Sequence, residues 1–271
     1  MRQQKKQLPV DYFMVTFTLP YQLRELTWQH QKVIYPLMFL CVTRTLNDFA
    51  RNPKNLGAEI GLTAVLHTHS RALDYHPHIH VIVPGGGINK AKRQWIKTKG
   101  KYLFNVFAMA NVFRARILDG LNSAKLPIPH SMPKKWRVNC KRVGKGQPAL
   151  KYLSRYLYRG VISEKNIISN SNGKVTFQYT EGDTGKRLTR TMKGEDFLWL
   201  VLQHVLPKGF RRVRDYGFLH SNAKKLLILV QLILRVVIHL LLPKPRPAFK
   251  CPHCQAAMQI TGFRQRYLMS G

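Results

Sequence analysis

One stretch constrains the fold more than any other: Asp74-Tyr75-His76-Pro77-His78-Ile79-His80-Val81-Ile82-Val83. Side chains alternate faces along a strand, so Ile79, Val81 and Val83 share one face while His78, His80 and Ile82 share the other. The first set is a face to bury. The second presents two imidazoles about 7 Å apart along the strand, close enough to ligate one metal ion. A lone histidine would be an ordinary structural residue. Two of them, spaced by two opposite a β-branched run, point to a site, with zinc binding or plain surface exposure as the competing readings. If the preceding strand pairs His67 with His78, then Val65 faces His80 and His67 projects beside the two as a third ligand. His69 and His76 are the alternatives for that place.

A strand buried on one face needs a sheet and a covering layer. Residues 12–19 (YFMVTFTL) are aromatic and β-branched and stop at Pro20, which predicts a strand. Residues 24–51 carry apolar side chains at helical spacing and predict one or two helices, broken at Pro36. Residues 58–68 predict the strand before the histidines, and Pro84-Gly85-Gly86-Gly87 ends the histidine strand abruptly. The glycines there admit either a close DNA backbone or a flexible strand exit. Further on come a helix over 101–120, a proline-rich loop over 125–133, a basic strand over 136–143 and a helix over 148–159 closed by Gly160. Residues 175–180 and 188–192 predict a hairpin, and 195–206 a helix ending at Pro207. This order implies an α+β fold, a central antiparallel sheet with helices on one side, followed by a helical C-terminal tail. The expected division is 8–219 for the catalytic domain and 220–271 for the tail. Residues 226–242 are strongly apolar. As a helix they would span about 25 Å, short of the roughly 30 Å of a bilayer core, and they contain Gln231, Arg235 and His239. A buried or partner-facing helix is the expectation, not a membrane span.

The segment Leu150-Lys151-Tyr152-Leu153-Ser154-Arg155-Tyr156-Leu157-Tyr158-Arg159 is the second constellation. On a helix, Leu150, Leu153 and Leu157 form an apolar stripe with Tyr152 and Tyr156 at its edge, one turn apart. Arg155 and Arg159 fill the next sector, and Tyr158 points away. Tyrosines that merely extend an amphipathic face would give the same pattern. Phenols beside arginines also suit phosphodiester attack, with the guanidinium groups holding the phosphate and a phenol oxygen as nucleophile. A free phenol has a pKa near 10, so it needs a divalent ion, such as the histidines can hold, on the far side of the phosphate.

Charge supplies the partner. The chain has 45 Lys+Arg against 12 Asp+Glu, a net charge of +33. Such an excess calls for a polyanion, and nucleic acid fits better than an anionic membrane. Two clusters stand out, Lys135, Trp136 and Arg137 in one and Arg211 and Arg212 beside Phe210 in the other. Cations interleaved with aromatics suit a single strand, by charge and base stacking. Four cysteines are too few for a disulfide scaffold and MRQQKKQLPV has no apolar h-region, so a reducing, cytoplasmic and nucleoid-associated setting is expected. Cys251-Pro252-His253-Cys254 is half of a zinc knuckle, a remnant unless further ligands complete a Zn²⁺ site.

With both motifs stated, the chain resembles the two-tyrosine HUH rolling-circle transposases of the IS-ninety-one type. HPHIHVIVPGGG and LKYLSRYLYRGVIS carry the resemblance, and LPVDYFMVTFTLP, NLGAEIGLTAVLHTHS and the stretch from Val175 to Leu219 extend it. It implies an HUH endonuclease fold related to RNA-recognition folds. It implies His78 and His80 as ligands of Mg²⁺ or Mn²⁺, and Tyr152 and Tyr156 as nucleophiles that become linked to 5′ DNA ends. The partner implied is single-stranded DNA at element ends and target, with no small-molecule substrate. The cysteine-rich zinc-binding module that opens family members does not precede Leu8 here. A replication initiator or relaxase would use the same chemistry, and an inactive truncated derivative would keep only the binding. A zinc hydrolase would want a glutamate beside the histidine pair as general base, and none is there.

Overall fold

The computed structural model describes residues 6–100, 102–146, 154, 161–181, 184–236, 250–256 and 258. It divides the chain into two compact units, Met1–Val236 and Val237–Gly271. The predicted tyrosine helix, with Tyr152, Tyr156, Arg155 and Arg159, lies outside the described residues.

The first unit is built on five antiparallel strands: β1 (Asp11–Thr18), β2 (Leu62–His69), β3 (Tyr75–Pro84), β6 (Arg137–Lys145) and β10 (Val213–Tyr216), in the order β10-β2-β3-β1-β6. Their alternation sorts the side chains. Phe13, Val15 and Phe17 of β1, Ile79, Val81 and Val83 of β3, and Leu62, Ala64 and Leu66 of β2 all enter one hydrophobic core. Two helices cover that face, α2 (Gln31–Arg51) and α3 (Val106–Ser123). Asn105 starts α3 by accepting the Ala108 N–H at 3.0 Å, which satisfies a donor that the first turn leaves unpaired. The two helices approach closely at Gly120, where a Cβ would meet Leu37 at 2.3 Å. Phe113 of α3 anchors the layer, edge-on to Phe17 at 5.1 Å and to Trp136 at 5.6 Å.

Several sequence expectations give way to the tertiary structure. The helix break falls at His30, between α1 (Arg24–Gln29) and α2, where φ −120° and ψ 38° leave the helical range. Pro36 stays inside α2. It forfeits the bond to the Lys32 carbonyl, and the burial of Ile34, Tyr35, Met38 and Phe39 around it offsets that loss. The glycine run after β3 is neither a DNA approach nor a loose exit. It forms β4 (Gly86–Asn89), which pairs with β5 (Gln94–Lys97). A Cβ on Gly86 would meet the Ile96 carbonyl at 2.5 Å and the Trp95 ring at 2.6 Å, and one on Gly87 the Glu59 carbonyl at 2.7 Å. Chain packing fills the space that the missing side chains leave.

A second, smaller sheet of β7 (Ile167–Ser171), β8 (Lys174–Thr180) and β9 (Arg187–Lys193) carries α4 (Gly194–Leu202) on one face. Val175, Phe177 and Phe197 form its core, together with Leu73 from the β2–β3 connection. The predicted hairpin over 175–192 is present, and β7 is an addition to it. Past Leu219 the first unit continues into α5 (Lys224–Ile233), whose Val230 joins Leu8, Ile88, Phe218 and Leu219 in a further cluster. The apolar run is thus not one helix over 226–242: α5 ends at Ile233, and Arg235 turns left-handed at φ +51°. Among the described residues no helix is long and apolar enough to cross a membrane.

Candidate metal centre and its surroundings

The register of β2 and β3 decides the site. His67 pairs with His78 and Val65 with His80. Directly opposed residues of antiparallel strands share a face, so the three imidazoles stand together on the side of the sheet away from α2 and α3. Ring centroids are 4.7 Å apart for His67–His80, 4.8 Å for His78–His80 and 5.3 Å for His67–His78. Their nearest ligand atoms all lie within 4.8 Å of one another. Leaning together brings the His78 and His80 rings to 4.8 Å, inside the roughly 7 Å between their backbone positions along β3. His67 is buried, and the other two are half-buried.

Hydrogen bonds select the ring atoms that face inward. His80 Nδ1 is 2.9 Å from Thr16 Oγ1, and His78 Nδ1 donates to the His76 carbonyl at 2.6 Å. A partner on Nδ1 is the usual outer contact of an imidazole that binds metal through its other nitrogen. Three nitrogen donors gathered in this way could hold a divalent ion. Thr16 reaches this place because it pairs with His80 across β1 and β3. Its place in YFMVTFTL allowed that reading, but only once β1 was known to lie beside β3.

The alternative ligands are otherwise occupied. His69 stacks on His204, with centroids 3.7 Å apart and planes at 21°, and its Nε2 is 3.4 Å from Gln203. Burial first, then the nearby His204, push its pKa down to about 4. His76 meets the Arg24 guanidinium through Nδ1. Burial, then Arg24 and Arg137, push its pKa down to about 4 as well. Both rings stay neutral near pH 7.

A cleft of about 460 Å³ is lined by His78 and His80 and by Tyr179 and Thr180 at the end of β8 with Glu181 after it. A second opening beside His67 is lined by His204 and Arg212. Of the expected DNA contacts, Arg212 lines that opening, and Arg137 pairs with Thr18, which in turn pairs with His78 on the same face. Lys135 and Arg211 are exposed at the mouths of β6 and β10. Trp136 is a correction: it is 7% exposed and packed on Phe113, so it belongs to the core and has no face for a base. Phe210 likewise packs against Tyr35 and Phe39, with Arg214 over its ring. In the second unit, Cys251 and Cys254 stand in a turn where the Cys251 N–H donates to Ala256 and the Gln255 N–H to Cys251. Among the described residues no third ligand joins them.

This fold and site define an α+β protein whose antiparallel sheet carries a three-histidine cluster able to hold a metal ion. Residues 61–226 match the family Y2_Tnp, described as "Putative transposase", and the chain belongs to that family. It is 35% identical over 243 residues to "Putative transposase y4qJ" of Sinorhizobium fredii, which covers 80% of this chain and 61% of that protein. It is 26% identical over 272 residues to "Transposase for insertion sequence element IS801" of Pseudomonas savastanoi pv. phaseolicola, covering 92% of this chain and 64% of that one. The chain therefore spans a little over three fifths of the length of these relatives. Among solved structures it is similar to TrwC complexed with a 27-mer DNA comprising the recognition hairpin and the cleavage site, at 12% identity and a TM-score of 0.32, over 83% of this chain and 74% of that one.

Proposed function

We propose that this chain is the catalytic part of an HUH-class rolling-circle transposase, which nicks single-stranded DNA and rejoins it through a 5′-phosphotyrosine on Tyr152 or Tyr156. The observation that carries the proposal is the convergence of His67, His78 and His80 on the open sheet face of a transposase-family chain. The phenol oxygen attacks phosphorus, the phosphorus–3′ oxygen bond breaks, and the tyrosine ester forms as the phenol proton is lost and the 3′ oxygen takes one up. One phosphodiester replaces another, so reversal by a 3′ hydroxyl rejoins DNA without ATP. Arg155 and Arg159, with Arg137 and Arg212 from the sheet, hold the phosphate. His67 and the Nε2 atoms of His78 and His80 would hold a divalent ion, which supplies polarisation of a non-bridging oxygen and stabilises the departing 3′ oxygen. Three nitrogen donors suit Mn²⁺ better than Mg²⁺, which holds to oxygen.

The test is a denaturing gel of the protein with labelled single-stranded DNA and Mn²⁺ or Mg²⁺, scored for a covalent adduct. Replacing Tyr152 and Tyr156 together by Phe should eliminate the adduct, and Tyr158→Phe should leave it largely intact. A nucleotide on Tyr158, or an adduct in the double variant, would refute the assignment.

A further inference from the structure

Two helices leave an apolar side uncovered, and the two sides match. α4 packs Phe197, Leu200 and Val201 into the core of the small sheet. Its other side carries Leu198, Trp199 and Leu202 at 59%, 59% and 60% exposure, continued by Val205 at 71% in the turn that follows. A helix that is apolar on both sides belongs between two partners, and the small sheet is one of them. Glu195 and Asp196 open the helix, and both are exposed. Residues 194–207 contain no lysine or arginine, in a chain whose net charge is +33. This side therefore suits neither phosphates nor an anionic lipid surface.

α5 shows the opposite sign. Val230 packs inward with Phe218 and Leu219, while Ile228 and Leu232 are 56% and 70% exposed. Lys224 and Lys225 are exposed at the start of the helix and Arg235 just past its end. Glu195, Leu198, Leu202 and Val205 follow one another at intervals of three, four and three residues, and so do Lys225, Ile228, Leu232 and Arg235. That is the spacing at which two helices mesh along a seam. A cation stands at either end of the α5 stripe, so Glu195 meets one whichever way the helices run. Both stripes are open within one copy, so neither covers the other.

We propose that the open side of α4 is an interface for a second copy of this chain, which docks through the open side of its α5. The acidic and apolar stripe of one copy meets the basic and apolar stripe of the next, the one place where two strongly basic chains attract. Unlike faces make a head-to-tail contact, so copies can add beyond two unless the contact closes on itself. Helices of nine and ten residues are about 14 and 15 Å long. The contact is accordingly small, in the class below about 1,200 Å², and depends on concentration.

The test is sedimentation velocity on the full chain, freed of nucleic acid, at about 0.15 M salt, where the net charge is largely screened. The wild-type mass should rise above the 31.4 kDa of one copy as concentration goes from about 1 to 100 µM. Trp199→Ser with Leu202→Ser breaks the α4 side, and Ile228→Ser with Leu232→Ser breaks the α5 side. Each double variant alone should stay at one copy. Mixed, they should form dimers and stop there, because each supplies the side that the other lacks. Far-UV circular dichroism checks that they fold. Glu195→Lys leaves every apolar contact in place and should weaken association about tenfold, with rescue by Lys225→Glu or Arg235→Glu in the same chain. A wild type that stays at one copy throughout would overturn the proposal, as would rescue by neither glutamate. Association that survives loss of the α5 side would instead assign α4 to α4 and remove α5 as its partner.

Discussion

Two adjacent strands carry five histidines, and the molecule uses them in two ways. His67, His78 and His80 converge, while His69 and His76 turn to other partners. Parity alone would put all five on one face, since His69 lies two residues from His67 and His76 two from His78. An unbroken ladder would pair His69 with His76. Instead the register shifts after His67, and His69 pairs with Tyr75. That one-residue bulge sends His69 to His204 and Gln203. The Arg24 guanidinium takes the His76 ring. One bulge and one cation thus separate the three histidines that could hold a metal from two that carry the same side chain.

The most direct way to break this division is to remove a ligand. His78→Ala or His80→Ala should abolish metal-dependent adduct formation and weaken Mn²⁺ binding by more than about 100-fold, beyond what changes to outer partners cost. Affinity for oligo(dT) in chelator should stay, because the imidazoles are not what neutralises phosphate. Electron paramagnetic resonance of Mn²⁺ titrations reads the first effect and anisotropy the second. If His76→Ala matched His78→Ala in Mn²⁺ binding, the two groups would be one.

A smaller effect belongs to Thr16, which touches His80 Nδ1 and no reacting atom. Thr16→Val removes the hydroxyl bonded to the ring while keeping its volume, and should cost about 10–100-fold in Mn²⁺ affinity. Thr16→Ser should restore it. Nitrogen-15 shifts of the imidazole give a readout that a packing role would not move: the valine variant should show His80 mixing tautomers. An unchanged spectrum and affinity would remove Thr16 from the site.

How far these features could be read in advance varied with how local they are. The alternation in HPHIHVIV marks both the buried face and the histidine face, whereas the pairing of His67 with His78 was one register among several until the structure gave it. The bulge left no mark, because it depends on where the Ser70–Asp74 turn closes: Ser70 N–H donates to the Asp74 carbonyl and Leu73 takes φ +71°. Trp136 misled because its neighbours Lys134, Lys135 and Arg137 are cationic, and a strand with one face in the core gives charge and burial to alternate residues. The β4–β5 hairpin hid in a glycine run, where the chemistry that spells a loop also spells close packing. Two-residue periodicity is written in the chain itself. The bulge depends on how the next turn closes, and the cation partner Arg24 lies 52 residues from His76.

The smallest expected effect tests the bystanders. His69→Phe keeps a ring to stack on His204, so Mn²⁺ affinity should stay within about threefold of the wild type, in contrast to the ligand variants. Thr68 loses its 2.9 Å partner, which should cost about 1–2 kcal/mol at pH 7. The pH dependence runs the other way. His69 is held neutral, with its pKa pushed down to about 4 by burial and His204, against about 6.5 in the unfolded chain. Between those values the unfolded state binds the extra proton, so the wild type loses stability as pH falls from about 6.5 towards 4. Phenylalanine cannot take up that proton, so the variant should lose less, by roughly 1–2 kcal/mol once partial solvent exposure is allowed for. Urea unfolding in chelator at pH 7 and pH 5 should therefore show the two curves converging as the pH drops. A gap that stays constant would mean His69 does not titrate as a buried neutral ring. A loss of Mn²⁺ affinity as deep as that of His78→Ala would make it a ligand, and the separation of the five histidines would fail.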